Sequence, residues 1–140
     1  MWSCGDYSND LTGFIIPELP NTTITISKDY ATNGEYGIKV IRNVTEQYYT
    51  QIKFIYTVNN GDYGKNCCFT LDINNQFNGT CGIYLDMGSS KSVSIPQGSN
   101  GSFSISSEIP NNISSFSFYL SFAGLRTGIL YTDNWKLTIS

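Results

Sequence analysis

The sequence has no histidine, and charged residues fill only 14% of its 140 positions. Without an imidazole, Ser-based nucleophilic catalysis lacks its general base. The four cysteines, at 4, 67, 68 and 81, have no CxxC spacing, so with histidine absent as well the chain encodes no zinc site. Eight basic residues lie scattered against eleven acidic ones, for a net charge of -3. A nucleic-acid partner is excluded, because no Lys/Arg cluster exists to displace counterions from phosphates. Membrane insertion is not expected either, since no apolar run approaches the length of a spanning helix. No segment carries a 3.6-residue apolar stripe.

Present instead are aromatics, at 14%, and a recurring period-2 alternation. Thr22–Lys28, Tyr36–Ile41, Tyr48–Val58, Cys67–Ile73, Thr80–Met87, Ser92–Ile95, Ser102–Ser106, Ser115–Phe122, Gly128–Tyr131 and Trp135–Ile139 read as short strands punctuated by turn residues such as Asn60-Gly61. Alternation assigns the faces. Cys67, Phe69, Leu71 and Ile73 point inward, as do Cys81, Ile83, Leu85 and Met87, and Phe116, Phe118, Leu120 and Phe122. The fold class that follows is all-β: a two-sheet antiparallel β-sandwich of the jelly-roll type. Residues 1–140 read as one domain, with 1–20 an irregular or edge segment because Pro17 and Pro20 oppose ladder pairing. The opening Met1-Trp2-Ser3-Cys4-Gly5 reads as an arbitrary start and points to a piece of a longer protein. Disulfide pairing is left open. Cys67 and Cys68, adjacent on a strand, point to opposite faces.

Four stretches taken in order resemble the family 4, 9 and 22 type of carbohydrate-binding module. They are the polar bend and strand Ser27–Val40, the Gly64–Ile73 stretch opening on Gly64-Lys65, the Phe-rich strand at 115–122, and the closing Tyr131-Thr132-Asp133-Asn134-Trp135-Lys136-Leu137-Thr138. Together they cover residue 24 or so to the end. The sequence departs from the family pattern at Phe14-Ile15-Ile16-Pro17-Glu18, where the family carries an acidic residue after an aromatic. The resemblance implies a galactose-binding-like jelly roll with one concave sheet, and a polysaccharide or glycan as partner. It also implies one structural Ca2+, with Asp133 matching the family's closing Asp and the bend from Asp29 to Glu35 supplying further oxygens.

Binding a sugar requires flat aromatic surfaces and polar groups that bond hydroxyls in pairs. The outward faces offer Thr70, Asp72, Tyr84, Asp86 and Tyr119, with Ser117 and Ser121 flanking Tyr119. If their strands share the concave sheet, these side chains project together. Tyr63, Phe77 and the Tyr48-Tyr49 pair are loop aromatics; Phe77 is expected to fold back over the sandwich edge and Trp135 to be core. Catalysis is not expected. Asp72 and Asp86 are the carboxylates that could flank a glycosidic bond, yet nothing in the sequence separates their acidities, and Arg42 and Arg126 are isolated. The expected function is non-catalytic carbohydrate binding by a monomeric module fused to other domains in an extracellular or cell-surface protein. The alternative is a structural or adhesive spacer of a surface protein or viral appendage. Sequons at Asn21, Asn43, Asn78, Asn100 and Asn112 agree with export but arise easily in so Asn-, Ser- and Thr-rich a chain.

Overall fold

The computed structural model describes residues 2–4, 15, 22–43, 50–122 and 127–140. Pro17, Pro20, the Tyr48-Tyr49 pair, Arg126 and most of the divergent opening stretch lie outside them. The described strands are β1 (Trp2–Cys4), β2 (Thr22–Ser27), β3 (Gly37–Arg42), β4 (Thr50–Thr57), β5 (Asn66–Phe77), β6 (Cys81–Asp86), β7 (Ser90–Ile95), β8 (Asn100–Glu108), β9 (Ser115–Phe122) and β10 (Gly128–Ile139). They form two antiparallel sheets. One runs β2-β3-β10-β5-β8, with β1 also on β10; the other runs β4-β9-β6-β7. The jelly-roll sandwich expected from the alternation is the observed fold.

The core lies between the sheets and is filled by the residues that alternation turned inward. Cys67, Phe69, Leu71 and Ile73 from β5 meet Ile83 and Leu85 from β6 and Phe116, Phe118 and Leu120 from β9, all buried. Phe69 carries the contact between the sheets: its ring lies 4.4 Å from Phe118 opposite and 5.4 Å from Trp135 beside it. Trp135 is fully buried, and its indole N–H donates to Thr132 Oγ1 at 2.8 Å, which satisfies its one polar atom.

Several strand ends differ by a few residues from the sequence reading, and two differences change the architecture. Strand β5 continues to Phe77, which is no loop residue: it is fully buried and meets Phe122 edge-on at 5.4 Å. Asn75, inward-facing one step before, made the strand look finished. Its side-chain amide instead donates to the carbonyls of Gly79, Ile95 and Pro96 and accepts the Phe77 N–H, so a polar side chain is satisfied inside. The two closing strands are likewise one strand, β10, with a bulge. Its pairing with β5 shifts between Asp133, opposite Asp72, and Lys136, opposite Thr70. Asn134 takes a φ of 55°, a left-handed conformation that Asn tolerates. The inserted residue switches the inward parity, so Leu130 and Thr132 face the core before it and Trp135 and Leu137 after it.

Candidate functional site

Cross-strand register builds one surface on the outer face of the four-stranded sheet. Lys53 on β4, Tyr119 on β9, Tyr84 on β6 and Ser92 on β7 form one row, and Ile15 extends it through a bridge to Lys53. Ile55, Ser117, Asp86 and Ser90 form the next row; Gln51, Ser121, Gly82 and Ser94 form the row on the other side. Paired residues project to the same side, so each row is a line of neighbouring side chains.

Tyr84 and Tyr119 dominate this face. Their rings stack with planes 6° apart and centroids separated by 5.1 Å, an offset pairing that contributes about 0.5–1.5 kcal/mol beyond simple burial. Lys53 Nζ lies 5.2 Å from the Tyr119 centroid. Since β4 and β6 flank β9, Lys53 and Tyr84 cover opposite faces of Tyr119, which is only 9% exposed although it points away from the core. Tyr119 is therefore the support, and Tyr84 supplies the free aromatic face. That face turns toward β7, where Ser90, Ser92 and Ser94 are all exposed and small, leaving open space beside the ring. Asp86 is partly exposed in the adjacent row; its Oδ1 accepts the Gly88 N–H at 3.1 Å. A cavity of about 240 Å3 lies between Lys53, Ile55, Asp86 and Ser117. A flat ring beside a carboxylate and a line of hydroxyls is a surface able to hold a sugar ring and bond its hydroxyls.

Tyr84, Tyr119 and Asp86 are thus brought together. Thr70 and Asp72 are not: they lie on β5, in the other sheet, and project from the opposite outer surface. Alternation gives the face of a residue within its strand but not the sheet its strand joins, and that is why the five appeared to form one patch. The same separation ends the role of Asp72 and Asp86 as a carboxylate pair, because a whole sandwich lies between them. Lys53, Gly82 and the β7 serines were missed in the sequence. The Ser90-x-Ser92-x-Ser94 spacing was the one signal that pointed to an open step.

Asp72 belongs to a polar cluster under the 28–36 bend. Its carboxylate accepts from the hydroxyls of Thr32 (2.6 Å) and Ser102 and from the Asn134 amide (3.3 Å). Burial pushes its acidity down, but these hydrogen bonds and nearby Lys136 outweigh it and hold the carboxyl below its ordinary range. Its neighbour Asp133 is fully buried. Asp133 Oδ2 accepts the backbone N–H groups of Thr32 at 2.6 Å and Asn33 at 2.9 Å, whereas Oδ1 is buried with no hydrogen-bond partner. Burial outweighs the backbone donors and raises this carboxyl above its ordinary range. Tyr30, half-buried and near both carboxylates, is pushed up to about 12 by desolvation and their charges.

One feature of Asp133 fits a hard cation, its orphaned carboxylate oxygen, while the bend turns N–H donors toward the other oxygen. The other two expected ligands do not join it. Asp29 is bound to Lys39 at 2.7 Å, and Glu35 is exposed. Among the described residues no three carboxylate, Cys or His side chains converge on a metal position.

With this geometry in place, the fold can be compared with solved structures. TmCBM61, solved in complex with β-1,4-galactotriose, superposes with a TM-score of 0.71 at 12% identity, covering 97% of this chain and 94% of that one. The CBM22-2 xylan-binding domain of Paenibacillus barcinonensis Xyn10C superposes at 0.64 with 9% identity, covering 99% of both chains. The chain has the fold of carbohydrate-binding modules. A third match, at 0.72 and 12% identity, is the enzymatically active domain of tailspike protein 4 from bacteriophage CBA120; it covers 97% of this chain but only 20% of the tailspike. No protein-family model matches the sequence, and no curated protein matches it.

Proposed function

We propose that the protein is a non-catalytic carbohydrate-binding module that holds a glycan on the outer face of its four-stranded sheet. The observation that carries this reading is the Tyr84–Tyr119 stack, which presents one free aromatic face beside Asp86 and the β7 serines. A sugar ring lies with its C–H face on Tyr84, Asp86 accepts hydroxyl protons, and the serines border the step that admits the ring. No bond is made or broken. The module works as a monomer within a larger extracellular or cell-surface protein, in the way that the CBM22-1 module of Clostridium thermocellum Xyn10B is joined to GH10 modules. One Ca2+ at Asp133 would fasten the 28–36 bend to β10, with the carboxylate as its anionic ligand and loop carbonyls completing the shell.

Affinity gels containing xylan, galactan and other soluble polysaccharides test the reading. Retention should fall about tenfold or more in Tyr84→Ala, the scale of a buried aromatic anchor. Lack of retention by every glycan would leave a second reading, a structural or adhesive spacer in a surface protein or viral appendage. The observation behind that alternative is that part of a bacteriophage tailspike shares this fold.

A further inference from the structure

Lys53 is the side chain on the proposed face that simple sugar stacking does not require. Its ammonium is held over Tyr119, a cation–π contact that fixes its place beside the platform. Two of its neighbours on that face are apolar: Ile15, its bridge partner, is 52% exposed, and Ile55, two residues along the strand, is 49% exposed, whereas Gln51, two residues the other way, is neutral and polar. Among the described residues Lys53 makes no ion pair; the ion pair they contain, Lys39 with Asp29, is on the other sheet. Asp86 lines the same cavity of about 240 Å3 but stands one row over and across β9, where its Oδ1 accepts the Gly88 N–H. A cation and a carboxylate thus border one cavity without neutralising each other.

We infer that the glycan bound here is anionic, with a carboxylate or sulfate group that pairs with Lys53 while its hydroxyls reach Asp86; this rests on the sugar-binding reading above. The Tyr119 ring covers one side of the ammonium, and Lys53 itself is only partly exposed. An incoming anion therefore meets a cation in a lower dielectric than open solvent, where a pair is worth more than an ordinary surface pair. The charges also orient the chain, placing the anionic substituent at the β4 edge and the hydroxyls toward β7.

The test compares a tetragalacturonate with its methyl ester, and a sulfated galactan oligosaccharide with its desulfated form, by calorimetry. One charged form should bind roughly three- to tenfold tighter than its neutral counterpart, the scale of one charge-assisted hydrogen bond at a partly exposed site. The gap should close near about 1 M NaCl, where the screening length is about 3 Å. Lys53→Met should abolish the gap, Lys53→Arg should keep it, and Lys39→Met on the opposite sheet should leave it intact; thermal melts show that each variant is folded. The pair with the gap tells carboxylate from sulfate. Equal binding of charged and neutral forms overturns the anionic class, and an undiminished gap in Lys53→Met overturns the pairing with Lys53; either result leaves sugar binding standing. Failure to bind these four ligands, xylan and every other glycan overturns both.

Discussion

Gly82 lies beneath the edge of Tyr84: a Cβ built on this glycine would meet Tyr84 Cε2 at 3.1 Å and the Val93 carbonyl at 3.4 Å. The ring of Tyr84 is thus free to settle over its own strand while stacking sideways on Tyr119. Gly82→Val should push the ring off this position, because a β-branched side chain needs the space the ring occupies. Glycan retention should fall several-fold. The strand itself should tolerate the change, since Val is a favoured strand residue, and the melting midpoint should move by only a few degrees, equivalent to about 1 kcal/mol. Unchanged retention would separate the ring's resting place from binding.

The division between the two outer faces gives a second expectation. Asp72→Asn should leave glycan retention unchanged, because Asp72 projects from the sheet opposite Tyr84. It should instead cost about 1 kcal/mol of stability, the net value of charge-assisted hydrogen bonds at a half-exposed site. The pH dependence has a definite sign. Asp72 has a folded-state pKa below the unfolded one, so its contribution is present above the ordinary carboxyl value of 3.8 and is lost as pH falls through the folded value. Denaturant melts between neutral and about pH 3 should therefore show the difference between wild type and Asp72→Asn shrinking on the acid side. Loss of glycan retention in this variant would place the site on the wrong sheet.

How far the sequence foretold these features follows from what alternation encodes. On β5, β6 and β9 it separated Phe69, Leu85 and Phe118 from Thr70, Tyr84 and Tyr119 correctly, since period 2 fixes which side chains share a face. It was silent on partners. The order β4-β9-β6-β7 depends on long-range pairing, and so neither the stack of Tyr84 on Tyr119 nor the remoteness of Asp72 was legible. The bulge at Asp133–Asn134 was hidden for a different reason: a run of polar residues looks like a turn, and only the register against Asp72 and Thr70 reveals a continuous strand.

Asp133 provides a test of calcium. In the absence of metal its carboxyl is raised above the unfolded value by burial, so the native state binds the extra proton. Stability should then fall as pH rises through the window between the ordinary 3.8 and the raised folded value. A cation on the orphaned Oδ1 would reverse that penalty. At neutral pH, calcium should raise the wild-type melting midpoint over EDTA by on the order of 5 °C, as expected for a ligand well above its dissociation constant. Asp133→Asn retains an oxygen for the Thr32 and Asn33 N–H groups but loses the charge; it should be at least as stable as wild type in EDTA and should not respond to calcium. Identical wild-type midpoints with and without calcium would remove the ion.

Cys67 and Cys68 offer a check on the inward and outward assignment that is independent of any ligand. Cys67 is fully buried on the core side of β5, and burial pushes its thiol up to about 11, so at neutral pH it is neither accessible nor ionised. Cys68, on the opposite face, is half-buried, with its Sγ 3.8 Å from Thr70 Oγ1. Iodoacetamide applied to the native protein, followed by peptide mass spectrometry, should label Cys68 well ahead of Cys67, and the two should react alike once denaturant is added. The comparison is internal, because both sit in one peptide and differ only in the side of the strand they occupy. Faster labelling of Cys67 would mean that β5 is turned over; its whole inward set, Phe69 and Leu71 included, would then face solvent, and the sandwich described here could not stand.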